Sequence, residues 1–86
     1  MVIKVLGPGC MNCKTLERRT HEAVEGMTPA PLIEKVEDYQ QIASYGIMRT
    51  PGLVIDGKVV LSGSVPSVDA LKTLIQQHTS SAGIQA

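Results

Sequence analysis

Gly7-Pro8-Gly9-Cys10-Met11-Asn12-Cys13, directly after the apolar run Val2-Ile3-Lys4-Val5-Leu6, is the stretch on which the reading of this chain turns. Its two cysteines are the only ones in 86 residues, and they stand three positions apart. The order of signals is a strand, a tight glycine–proline turn and a helix that opens on the cysteine pair. At a helix N-terminus the unpaired backbone N–H groups concentrate partial positive charge, which favours a thiolate over a thiol at Cys10. Residues i and i+3 lie on neighbouring parts of one helical face. The two Cα atoms therefore fall within the separation a disulfide tolerates, typically about 5.5 Å. Such a pair is able to open and close without refolding of the chain, as dithiol–disulfide exchange requires.

Other uses of the pair fit less well. A structural staple across so small a loop removes little entropy from the unfolded chain, and small secreted domains that depend on disulfides carry several. Zinc asks for four ligands, and the remaining candidates, His21 and His78, are far apart and lack metal spacing. Soft Cu(I), which thiolates hold readily, stays open on the cysteine pair alone.

Outward from the pair, residues 10–25 follow a helical period. Cys13, Leu16, Thr20, Ala23, Val24 and Met27 form one inward stripe, while Lys14, Glu17, Arg18, His21, Glu22 and Glu25 fall mostly on the solvent side. This phase turns Cys13 toward the core and leaves Cys10 at the exposed helix tip; His21 is read as a solvated surface residue. Gly26 stops the helix. Leu32–Val36 reads as a short strand whose Glu34 and Lys35 suit a sheet edge. Asp38, with Gln41 three residues on, resembles a capping box for a short helix with a stripe of Tyr39, Ile42 and Ala43 and a stop at Gly46. Leu53-Val54-Ile55 and Lys58-Val59-Val60-Leu61 flank Asp56-Gly57, a strong hairpin signal. Ser67 caps a final helix with a stripe of Val68, Leu71, Leu74 and Ile75. The domain is expected to occupy residues 1–78, with residues 79–86 a loose tail.

The bulk composition narrows the function classes. The chain is one small domain with 43% hydrophobic residues, no Trp, no Phe and only two Tyr, so its core must be built from aliphatic side chains. Eight basic residues balance eight acidic ones, which leaves no electrostatic footprint for a nucleic acid or an anionic membrane. No apolar run is long enough to span a bilayer, and Met1-Val2-Ile3-Lys4 enters a strand pattern at once, without room for a signal peptide. A cytoplasmic protein that does not insert into membranes is expected.

The element order is thus β-α-β-α-β-β-α. Ferredoxin-like metallochaperones run β-α-β-β-α-β and end on a strand, which weighs against the Cu(I) carrier. A second landmark is Thr50-Pro51-Gly52 at the start of the third strand, where a proline cannot donate to a sheet ladder. With an upstream CxxC at a strand–helix turn, the chain resembles the thioredoxin superfamily, and within it the small, glutaredoxin-sized thioredoxin-like proteins of bacteria and archaea. The likeness rests on Gly7-Pro8-Gly9-Cys10, Tyr45-Gly46-Ile47-Met48, Thr50-Pro51, Val54-Ile55-Asp56-Gly57-Lys58-Val59-Val60 and Val65-Pro66-Ser67, and covers residues 1 to about 78.

The resemblance implies an α/β thioredoxin fold with a four-stranded mixed sheet in order 2-1-3-4 flanked by three helices. It implies a thiol–disulfide oxidoreductase acting on protein disulfides, with Cys10 the nucleophile and Cys13 the resolving thiol. It further implies a cis bond at Thr50–Pro51 and a shallow groove of Gly9, Met11, Asn12, Thr50, Pro51 and Gly63, with Ser64 beside it. There the Thr50 backbone would pair with an extended substrate segment.

The chain departs from the superfamily pattern in several places. Met11-Asn12 replaces the Gly-Pro of thioredoxins proper and the Pro-Tyr of glutaredoxins, and no tryptophan precedes Cys10. No acidic residue stands on the first or third strand, where thioredoxins keep a buried carboxylate behind the resolving cysteine. A water or Cys10 itself is left to deprotonate Cys13. Lys4 and Lys14 lie near the turn by sequence, where either could stabilise a thiolate, but both are read as solvated lysines. Gly63-Ser64 runs into Val65-Pro66 where glutaredoxins carry a Gly-Gly-x-Asp glutathione site. The expected electron donor is therefore a flavoprotein of the thioredoxin-reductase kind, with no cofactor resident in this chain and a monomeric state. Two readings remain beside this one: the Cu(I) carrier, and a docking or thiol-relay module for a membrane or metal-resistance partner.

Overall fold

The computed structural model describes the backbone of residues 1–85 and the side chains of residues 1–78. Its elements are β1 (Val2–Leu6), α1 (Met11–Ala23), β2 (Leu32–Val36), α2 (Tyr39–Ser44), β3 (Gly52–Ile55), β4 (Lys58–Ser62) and α3 (Val68–Gln85). The four strands form one sheet in the order β2-β1-β3-β4. β1 runs parallel to β2 and antiparallel to β3, which pairs antiparallel with β4. Parallel neighbours need a crossover, and α1 supplies it between β1 and β2. This is the thioredoxin fold expected from the sequence.

Strand alternation divides β1 between two faces. Ile3 and Val5 join Leu53, Ile55, Leu16, Ala23, Leu71 and Ile75 in a buried cluster between the sheet and the α1–α3 pair. Leu6, Val36, Ile42 and Val54 form a smaller cluster beneath α2. Lys4, between Ile3 and Val5, donates a hydrogen bond to the Tyr45 hydroxyl at 3.2 Å. That hydrogen bond, and then the charge interaction with the same group, hold its ammonium pKa above the usual value, with Glu34 adding a smaller push. Lys4 is thus engaged at the end of α2 and is no partner for the cysteine pair.

Local signals set the element ends. Asp56 and Gly57 both take positive φ, 49° and 83°, as a two-residue hairpin turn of type I′ demands. A register irregularity opposite Leu53 and Val54 takes up one residue of β4. The Ser67 hydroxyl accepts from the Ala70 N–H at 3.2 Å and caps α3. Asp38 caps α2 by accepting from Gln40 N–H at 3.3 Å, rather than through the box with Gln41. The expected α2 stripe is corrected too: Ile42 is buried, whereas Tyr39 and Ala43 are exposed. A helix of six residues has one inward turn, and Tyr39 at its first position lies outside it. α1 begins at Met11 and ends at Ala23, shorter at both ends than the expected 10–25.

The backbone of α3 continues to Gln85, through most of the segment expected to lie outside the helix as a tail. Thr79–Ala86 carries no proline, so no residue there lacks the backbone N–H that a helix needs. The looseness expected of the tail concerns side chains, and Ala86, that lie outside the described residues.

Candidate functional site

The ends of three strands and the first turn of α1 meet at Gly7. β1 stops at Leu6, which pairs with Gly52 at the start of β3. The Gly7 N–H donates to the Val36 carbonyl at 2.9 Å, carrying the β1–β2 pairing one step past the strand and into the turn. Gly7 is needed here for close approach: a Cβ on it would collide with the Cys13 Sγ and stand 3.9 Å from the Pro51 Cα. Cys13 and Pro51 thus meet across a residue with no side chain.

Cys10 and Cys13 are joined by a disulfide with a Cα–Cα separation of 5.0 Å. Cys10 occupies the N-cap of α1 with extended backbone (φ −68°, ψ 169°). Its Sγ accepts a hydrogen bond from the Cys13 N–H at 3.3 Å, and its carbonyl accepts from the Lys14 N–H at 3.0 Å. A thiolate at Cys10 would sit on the same donor and at the positive end of the helix dipole, both of which favour the charged sulfur. The two sulfurs have opposite surroundings. Cys10 is exposed, whereas Cys13 is only 5% exposed and shares the inward face of α1 with Leu16 and Thr20.

Of the other residues expected at the site, Met11 projects outward with 80% exposure, and Asn12 and Thr50 are exposed as well. Pro51 is buried, and the Thr50–Pro51 peptide bond is cis, as is Thr28–Pro29. The Pro51 carbonyl accepts from the Gly63 N–H at 2.8 Å, which ties the end of β4 to the proline loop. Arg49 lies over Gly63, where a Cβ would stand 2.8 Å from the arginine Cβ. Gly9 takes a φ of 92° and precedes Cys10. Arg19 on α1 donates from Nη1 to the carbonyls of Val65 (3.2 Å) and Pro66 (3.1 Å), fixing the segment before α3 against α1. That arginine escaped the sequence reading, since nothing local marks a long-range carbonyl latch.

A cleft of about 40 Å³ opens on Cys13, lined by Val5, Gly7, Gly9, Lys14, Glu17, Lys35 and Glu37. Lys35 and Glu17 form an ion pair across it at 3.8 Å. Lys14 therefore does lie near a cysteine, while Lys4 does not. His21 is exposed. Among the described residues no three His, Cys, Asp or Glu side chains come together as a metal-holding group, and no helix is long and apolar enough to cross a membrane.

Comparison with known sequences places this geometry in a family. A thioredoxin-domain family model matches residues 1–76. The chain belongs to the thioredoxin family. A protein named thioredoxin from Methanothermobacter thermautotrophicus is 35% identical over 75 residues, 87% of this chain and 97% of that protein. Another of the same name, from Methanocaldococcus jannaschii, is 32% identical over 78 residues, 91% of this chain and 90% of that protein. With the thioredoxin fold and a bonded cysteine pair at the head of α1, this member of the thioredoxin family is a thiol–disulfide oxidoreductase.

Proposed function

We propose that this protein reduces disulfides in other proteins by a two-cysteine exchange, with Cys10 as nucleophile and Cys13 as resolving thiol. The observation that carries the assignment is the asymmetry of the pair: an exposed Cys10 at the helix cap, bonded to a Cys13 that is 5% exposed. In the reduced protein the Cys10 thiolate attacks a substrate disulfide. A mixed disulfide forms at Cys10 and the first substrate sulfur leaves as a thiolate. Cys13 then attacks the Cys10 sulfur, closes the internal disulfide and releases the second substrate thiolate. Two electrons pass from the cysteine pair to the substrate, and its two thiolates take up protons. Rate follows the thiolate fraction and accessibility of Cys10.

The substrate segment lies along Gly9, Met11, Asn12, Thr50, Pro51 and Gly63, pairing with the Thr50 backbone as a short added strand. Residues 1–78 form the working domain, acting as a monomer in the cytoplasm. A flavoprotein of the thioredoxin-reductase kind returns the electrons, in preference to glutathione. Specific glutathione binding needs oriented donors and charge partners for its charged ends, and Gly63-Ser64-Val65-Pro66-Ser67 carries no charged side chain.

The test is insulin reduction driven by dithiothreitol, with parent protein and Cys10→Ser in parallel. The parent should accelerate precipitation of the insulin B chain and Cys10→Ser should not. Equal rates with and without the parent would contradict the proposal. Rereduction of the oxidised protein by NADPH and a matched reductase should outpace millimolar glutathione; fast, saturable reduction by glutathione alone would reverse the choice of donor.

A further inference from the structure

Resolution requires Cys13 to lose a proton while buried. Cys13 is only 5% exposed, so bulk water reaches its proton less directly than at exposed Cys10, and a route for that proton matters more here. Of the described residues, those lining the cleft on Cys13 supply four titratable side chains: Lys14 and Glu17 from α1, Lys35 and Glu37 from β2 and the residue after it. β1, the third element at the cleft, contributes Val5 and is followed by Gly7, neither of which carries charge. Glu17 is engaged by Lys35 at 3.8 Å. Glu37 has no ion-pair partner among the described residues, and its Oε2 lies 3.1 Å from where a Cβ on Gly9 would stand. Its side chain is exposed, and the backbone brings its base to the rim of the cleft. Val36, its neighbour, accepts the Gly7 N–H at 2.9 Å, so Glu37 leaves the sheet beside the cysteine turn. A cleft of about 40 Å³ has space for a water, and groups of this polarity can hold one.

We propose that Glu37 accepts the Cys13 proton, through a water in this cleft, during resolution of the mixed disulfide. The inference rests on Cys13 being the resolving thiol. As the Cys13 S–H bond breaks, the proton passes to the Glu37 carboxylate and the sulfur attacks Cys10. The bond between Cys10 and the substrate breaks, and its electron pair leaves on the substrate sulfur, which is protonated from solvent. Glu37 returns its proton to solvent. Lys14 and Lys35 balance the negative charge that moves through the cleft. Glu37 is thus a positioning residue that acts through water, set at the end of β2 rather than on β1 or β3.

Stopped-flow reaction of the reduced protein with dithiobis(nitrobenzoate) separates the two steps. The first coloured thiolate reports attack by Cys10, and the second reports resolution by Cys13. Glu37→Gln should slow the second phase by at least about tenfold at pH 7, while the first phase stays within about twofold. The deficit should shrink as pH rises toward 9 and hydroxide takes the proton directly. Glu37→Asp should fall between the two, and Glu34→Gln, the same charge change on β2 outside the cleft, should match the parent. An unchanged second phase in Glu37→Gln, or an equal slowing at every pH, overturns the proposal. Cys13→Ser separates this failure from that of the underlying assignment. If the second thiolate is still released intramolecularly without Cys13, the resolving role itself is wrong and the Glu37 proposal falls with it.

Discussion

The two faces of the sheet differ in how much they bury and in what they carry. On one, α1 and α3 cover a cluster that includes Ile3, Val5, Leu16, Leu53, Leu71 and Ile75, every one buried. On the other, six-residue α2 sets Ile42 over Leu6, Val36 and Val54. The bonded cysteines head α1, on the thicker face, whereas the Ile47–Pro51 loop leaves the thinner one, with Met48 97% exposed. A site that must present one sulfur and hold the other needs a helix that does not shift, and the larger core supplies it. The loop that carries Thr50 and Pro51 rests on the smaller cluster, through Ile47.

Truncations that probe each face should rank accordingly. Leu16→Ala empties the centre of the thicker cluster and should destabilise by about 4 kcal/mol. Chemical denaturation of the oxidised protein measures it. Ile42→Ala leaves a space that short α2 can settle into and should destabilise by about 2 kcal/mol. Equal losses at the two positions would break the comparison.

Gly7→Ala sharpens it from the junction between the faces. The added Cβ meets the Cys13 Sγ, and such overpacking should destabilise the oxidised protein by about 1–3 kcal/mol. The same clash should slow closure of the disulfide, which quenched-flow alkylation would follow. Arg19→Met keeps the aliphatic stem but leaves the Val65 and Pro66 carbonyls without their donor. A loss of about 1 kcal/mol is expected by denaturation.

Lys4→Met should change least. Its folded pKa is raised, so any stabilisation is fully present below the unfolded lysine value and fades as pH rises through the folded one. Melting temperatures of parent and variant should therefore nearly coincide at pH 7 and converge fully in strong alkali.

Much of this arrangement was legible because it is written in short-range chemistry. Asp56-Gly57 announces its hairpin, Ser67 its helix, and the helical phase from Cys13 to Ala23 is enough to assign the inward sulfur. Where the reading failed, distant partners decided the outcome. Tyr39 fits an apolar stripe on paper, yet α2 is too short to bury it. Lys4 is near the cysteines by sequence but is claimed by Tyr45, 41 residues away. Glu37 drew no notice because its position depends on Gly7 pairing with Val36, a register fact. Arg19 reaches carbonyls beyond the hairpin for the same reason.

The central claim is that Cys10 attacks and Cys13 resolves, and mass spectrometry of trapped complexes tests it most directly. Cys13→Ser and Cys10→Ser, each reduced and mixed with a disulfide-bonded protein substrate, would be acid-quenched and mapped by peptide. The account predicts covalent adducts at Cys10 in the first variant and essentially none in the second. Adducts at Cys13 in Cys10→Ser, formed as readily as those at Cys10, would contradict it.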